Sequence, residues 1–155
     1  MKIHLIAIGE KMPSWVKGGF KEYAERMPRE CKLVLHEIPA GRRAKGADIA
    51  RLISEEGKKA LAVVPKGARI VALDREGEAL NTVQVAAELK AQLARGADLA
   101  LLIGGPEGLS DECLARADSK LSLSRLTLAH PLVRVVAAEQ IYRAWSIIKN
   151  LPYHR

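Results

Sequence analysis

The chain ends on Pro152, Tyr153, His154 and Arg155, and three of these are side chains that do chemistry. An imidazole titrates near neutral pH and can take or give a proton. A guanidinium holds phosphate or a developing oxyanion in a planar fork. A phenol can stack and hydrogen-bond at the same time. Two internal stretches are of the same kind. In LLIGGPEGLS, residues 101–110, Gly104 and Gly105 lack a Cβ, so the backbone there can approach a ligand closely or take positive φ, and Pro106 stiffens the bend. The spacing is neither GxGxxG nor GxxxxGK[ST], so this is not a triphosphate cradle. It suits a flat uncharged ring such as adenine, held by main-chain groups; the plainer reading is a tight turn between strand and helix. In LSLSRLTLAHP, residues 121–131, leucines alternate with small hydroxyl residues. That pattern fits an edge strand with one polar face. On pattern alone that reading wins; the functional alternative is a ligand loop in which leucines sandwich a ring and Ser124 or Thr127 supplies a hydroxyl.

These segments need elements to hold them, and the chain alternates between two periodicities. KIHLIAI, KLVLHEI, RIVAL, DLALLIGG and KLSLSRLTL read as strands, the last running into a loop. Helical patterns follow Ser14, a candidate N-cap, and occupy ADIARLISEEGKKAL and TVQVAAELKAQLARG, with Gly96 as a C-terminal stop. A short helix starts on Ser110, and the longest runs from Pro131 to Asn150. DREGE after RIVAL reads as a turn, and the basic, glycine-containing stretch 40–48 as a mobile loop. Strand and helix in alternation specify an α/β fold with a mainly parallel sheet flanked by helices. Ligands of open α/β sheets bind beyond the carboxyl ends of the strands. Three such ends stand out: LDREG, GGPEG and LTLAHP.

The 155 residues fit one domain, 1–155, with a real core. No apolar run is long enough to span a bilayer, and the N-terminus reads as a first strand, which points to a cytoplasmic protein without a membrane partner. Cys31 and Cys113 have no metal-ligand spacing and read as buried thiols. The net charge of +7 favours a polyanionic partner. The excess is concentrated late, where Arg125, Arg134, Arg143, Lys149 and Arg155 face Glu139 alone. Glu139 and Arg143, four apart, can pair along the last helix. That helix is apolar on more than one face, and a second subunit in a homodimer would cover the second face.

LIGGPEGLS, LSLSRLTLAHPLVRVVAAEQIYRAWSI, the closing NLPYHR, KMPSWV and EIPAGRRAKGADI together resemble the RlmH-type methyltransferases of the SPOUT class. The likeness covers essentially the whole chain. It implies an α/β domain with a C-terminal trefoil knot, S-adenosyl-L-methionine as cofactor, and a homodimer. It implies methylation of N3 of a pseudouridine in 23S ribosomal RNA of the assembled ribosome, with the partner subunit helping to form the site. By position, Leu73, Gly104 with Gly105, and the run Leu123, Ser124, Arg125, Leu126, Thr127 and Leu128 match cofactor-contacting positions. Tyr153, His154 and Arg155 match the closing motif.

Methyl transfer from a sulfonium needs no metal; it needs in-line approach and removal of the N3 proton. The expected roles are His154 as base or hydrogen-bond partner, Arg155 on phosphate or a uracil carbonyl, and Tyr153 stacking on or positioning the base. Arg134 and Arg143 would hold backbone phosphates. His130, before a helix-opening proline, reads as structural. The competing readings are a SPOUT enzyme acting on another RNA and a ribosome-binding factor that catalyses nothing.

Overall fold

A computed structural model describes residues 1–155. Five strands form one sheet in the order β2-β1-β4-β3-β5: β1 (Lys2–Ile8), β2 (Lys32–Ile38), β3 (Arg69–Ala79), β4 (Leu99–Ile103) and β5 (Ser119–Ser122). Every pairing is parallel. Parallel neighbours need crossovers, and helices supply them: α1 (Ser14–Ala24), α2 (Ile49–Ala62), α3 (Thr82–Arg95), α4 (Asp111–Arg116) and α5 (His130–Ile148). The inner strands β1 and β4 are buried on both faces, which is why they read as nearly unbroken apolar runs.

The alternation of side chains along β1 divides the core. Ile3, Leu5 and Ala7 pack with Phe20 of α1, Leu89 of α3 and Ile141 and Trp145 of α5. Ile6 and Ile8 pack with Ala60 of α2 and Cys113 of α4 on the other face. Cys31 and Cys113 are free and buried, as their isolation in the sequence predicts, and burial pushes the Cys31 thiol up to about 11.

Helix ends follow local chemistry. Ser110 accepts from the Cys113 amide, Asn81 and Gln84 form a reciprocal capping box on α3, and Gly96 ends α3 at φ 74°. Ser14 does not cap α1: Pro13 occupies the N-cap and no side chain closes it. The apolar circumference of α5 also has an explanation within the chain. The helix lies between α1 and α3 in its layer, with the sheet beneath, so three sides are covered by its own neighbours.

Two predicted loops differ from expectation. DREGE is not a turn after β3 but a bulge inside it. Leu73 and Glu78 both pair with Leu121, so residues 74–77 bow out and the strand resumes. Gly77 makes this possible, since a Cβ there would lie 2.7 Å from the Leu121 backbone. Stretch 40–48 is tethered rather than loose: the Gly41 amide and the Arg43 guanidinium both donate to Glu56 of α2. The fifth strand is shorter than its alternation predicts. It stops at Ser122, and residues 123–129 form a loop into α5.

Candidate active site

Strand register brings the three flagged strand ends together. β4, β3 and β5 are adjacent and parallel, and Leu73 pairs with Ile103 on one side and Leu121 on the other. Gly104 therefore follows directly beside Leu73, and Leu123 lies two residues past its other neighbour. A cleft of about 80 Å³ opens here, walled by Leu73, Asp74, Arg75, Ser122, Leu123, Ser124, Leu126, Leu128 and Val133. Leu126 is 76% exposed, an unusual position for a leucine unless something is to be laid against it. A larger apolar hollow of about 210 Å³ lies between the sheet, α3 and α5 and shares Leu73, Ser122 and Leu123 as walls.

Main-chain geometry explains the residue types. A Cβ on Gly104 would lie 2.3 Å from the Gly108 carbonyl carbon, so glycine is needed there for the chain's own close approach. The positive φ belongs to Gly108, at 88°, not to Gly104 or Gly105. The Gly108 amide donates to the Gly105 carbonyl at 3.0 Å, closing a turn with Pro106 and Glu107 at its tip. The Ser124 hydroxyl is used in shaping its own loop, accepting from the Leu126 amide at 2.9 Å, while the Ser122 hydroxyl donates to the Ser124 carbonyl. Arg125, Leu126 and Thr127 are exposed.

Arg134 requires a correction. Its side chain is buried, not presented to phosphate. Nη1 donates to Glu37 at 2.8 Å and Nη2 to the carbonyls of Ile8 and Gly9, so it ties the start of α5 to the ends of β1 and β2. Arg143 pairs with Glu139 as the spacing predicts and keeps about a third of its side chain exposed.

The tail is docked but lies apart from the cleft. Pro152–His154 form a single 3-10 turn. The Tyr153 hydroxyl donates to Glu139 at 3.0 Å, and its ring packs edge-on against Tyr142 at 4.8 Å with Arg143 over its face. The ring is thereby held in place within the chain and stays partly exposed. Nδ1 of His154 is buried without a hydrogen-bond partner, and Arg155 is exposed. The cleft touches α5 at Val133, whereas the tail docks at Glu139, about 9 Å further along the helix axis. Asp74 and Arg75 enter the cleft wall without having been singled out. The signal was present in LDREG, but a bulge set by pairing with β5 leaves no periodic trace.

A family model described as "Predicted SPOUT methyltransferase" matches residues 1–154. The chain belongs to the SPOUT methyltransferase family. A curated relative, "Ribosomal RNA large subunit methyltransferase H" of Thioalkalivibrio sulfidiphilus (strain HL-EbGR7), is 54% identical over 155 residues, covering 100% of this chain and 99% of the relative. Among solved structures, a probable methyltransferase from Bordetella pertussis Tohama I superposes with a TM-score of 0.55 at 14% identity, over 92% of this chain and 95% of the other. A structure described as "Structural insights into the 2-OH methylation of C/U34 on tRNA" gives 0.53 at 20% identity, over 94% and 97%. At such identities these two speak for the fold alone. Like its SPOUT relatives, the chain is a methyltransferase, and no helix in it is long and apolar enough to cross a membrane.

Proposed function

We propose that this chain transfers the methyl group of S-adenosylmethionine to N3 of a pseudouridine in 23S ribosomal RNA of the assembled ribosome. The observation that carries the reading is the meeting of Leu73, the 104–108 turn and the 123–128 loop at the carboxyl ends of three adjacent strands. The full-length relative named for ribosomal RNA large-subunit methylation supports the substrate. On this reading residues 1–155 act as one domain, and its C-terminal part is threaded as a trefoil knot.

The donor set at the cleft suits the cofactor. Leu73, Leu123, Leu126 and Leu128 offer apolar faces to a purine, and the glycine turn, which begins beside Leu73, has main-chain groups to read its edge. The Asp74 carboxylate gives the wall a negative group suited to a cationic donor. When bound, S-adenosylmethionine supplies an electrophilic methyl group on a sulfonium. The chain's own task is to orient the acceptor and remove its proton. His154, half-buried with Nδ1 enclosed by the chain, takes the N3 proton at Nε2. Arg155 neutralises charge developing on the uracil carbonyl, and Arg143 steadies a phosphate. Tyr153 acts indirectly: held by Glu139, Tyr142 and Arg143, it anchors the turn that carries His154 and Arg155.

Because the tail docks away from its own cleft, the site is completed by the tail of a second copy in a homodimer. The test is transfer of labelled methyl groups to assembled ribosomes, isolated subunits and naked ribosomal RNA, each with and without pseudouridine. Label is expected on assembled ribosomes containing pseudouridine. Equal label on acceptors lacking pseudouridine, or label on none of them while the cofactor still binds, would overturn the substrate assignment.

A further inference from the structure

The 104–108 turn leaves the end of β4 directly beside Leu73 of the cleft wall, yet Gly104, Gly105 and Gly108 give it no side chains to hold it in place. Its one reaching side chain, Glu107, is caught from outside. Arg43 donates from Nε and Nη2 to Glu107 at 3.3 and 3.0 Å. The same guanidinium donates from Nη1 and Nη2 to Glu56 at 2.6 and 2.7 Å, and from Nη1 to the Gly41 carbonyl at 2.8 Å. All five of its N–H donors are used. Nη2 also lies 3.9 Å from where a Gly105 Cβ would be, so the clasp sits directly against the turn. The two carboxylates differ in kind. Glu56 is 5% exposed and belongs to α2, a rigid element packed on the sheet. Glu107 is a third exposed and sits at the tip of the turn, which the Gly108–Gly105 hydrogen bond closes at its base.

We infer that Arg43 is a positioning residue for the cofactor: it transmits the fixed position of α2, through Glu107, to the glycine turn that reads the adenine edge. This rests on the proposal that the turn is part of the S-adenosylmethionine site. A planar fork suits the task, because two bidentate contacts fix orientation where a point charge would fix only distance. Both partners respond to the contact: Glu107 is held below the usual carboxylate range by Arg43, and the Arg43 guanidinium is raised by Glu56 and Glu107. A turn displaced by about 1 Å is enough to weaken a site that depends on main-chain placement.

Glu107→Ala separates this role from folding, since it frees the turn while leaving Arg43 on buried Glu56. S-adenosylmethionine binding is measured by calorimetry on the full chain, together with thermal unfolding and hydrogen exchange of the turn. The expected result is a Kd raised about tenfold, faster exchange confined to the turn, and an almost unchanged melting temperature. In turnover assays KM for the cofactor rises while kcat at saturation stays within about twofold. Arg43→Lys, which keeps a charge beside Glu56 but cannot fork to both carboxylates, is expected to show the same split. Unchanged cofactor affinity in Glu107→Ala overturns the inference. So does a loss of affinity that only accompanies a lowered melting temperature and faster exchange throughout the chain. Failure of the unaltered chain to bind S-adenosylmethionine overturns instead the reading of the site on which the inference rests.

Discussion

Arginine residues at similar sequence positions have been given different work by their surroundings. Arg134 is 1% exposed, joined to Glu37 and two main-chain carbonyls, and its Nε has no partner. Arg155 is exposed and unpaired. A cation in a basic segment looks the same in either state, because charge patterning carries no record of which carboxylate, 97 residues away, will meet it. Arg134→Ala strips Glu37 of its partner and leaves the Ile8 and Gly9 carbonyls unmet. The expected loss is about 3 kcal/mol of stability, read by urea denaturation, with RNA affinity of the still-folded fraction unchanged. A phosphate contact would give the reverse: normal stability and weakened, less salt-dependent RNA binding. Tyr153 belongs to the same lesson. Its place in the tail motif was legible, but its ring's neighbours, Tyr23 and Tyr142, are set by tertiary packing.

Among the elements, those with strong local chemistry were readable and those shaped by a neighbour were not. The cap at Ser110, the stop at Gly96 and the proline in the first turn of α5 each depend on a few adjacent residues. The bulge in β3 depends on its pairings with β5, 43 to 48 residues further along the chain, so DREGE could only read as a turn. Yet this bulge brings Asp74 and Arg75 into the cleft wall. Gly77 lies where the bowed segment crosses the Leu121 backbone, at 2.7 Å from a notional Cβ. Backbone atoms cannot swing aside as a flexible side chain can. Gly77→Ala is therefore expected to cost about 2 kcal/mol and to weaken S-adenosylmethionine binding, because the displaced strand carries Leu73 and Asp74 with it. Thermal unfolding and calorimetry check the two halves separately. A stable variant with intact binding would show that the bulge tolerates the methyl group and does not set the cleft.

At the scale of the molecule, the α/β fold followed from alternating periods, and the three strand ends followed from the rule that such sheets bind ligands at their carboxyl edge. What periodicity could not supply was the relation of the tail to that edge. The apolar circumference of α5 suggested a partner, but its own α1 and α3 account for much of it. The stronger argument for the proposed pair is geometric: one chain holds a cleft at Val133 and docks its tail at Glu139, about 9 Å apart along the same helix. On the proposed reading, a complete site would draw its cleft from one copy and its tail from the other, and a C2 pair would contain two such sites. Heterodimers with different tags on each copy make this measurable. One copy carries His154→Ala, which removes the base but leaves the cleft. The other carries Leu126→Arg, which puts a cation at the cleft mouth against a cationic donor; Leu126 is 76% exposed, so the fold survives the change. Either homodimer is expected to be inactive. In the heterodimer the intact cleft of one copy meets the intact tail of the other, and about half of the normal methyl transfer per dimer returns. If cleft and tail served the same chain, both sites of the heterodimer would be broken and no activity would return.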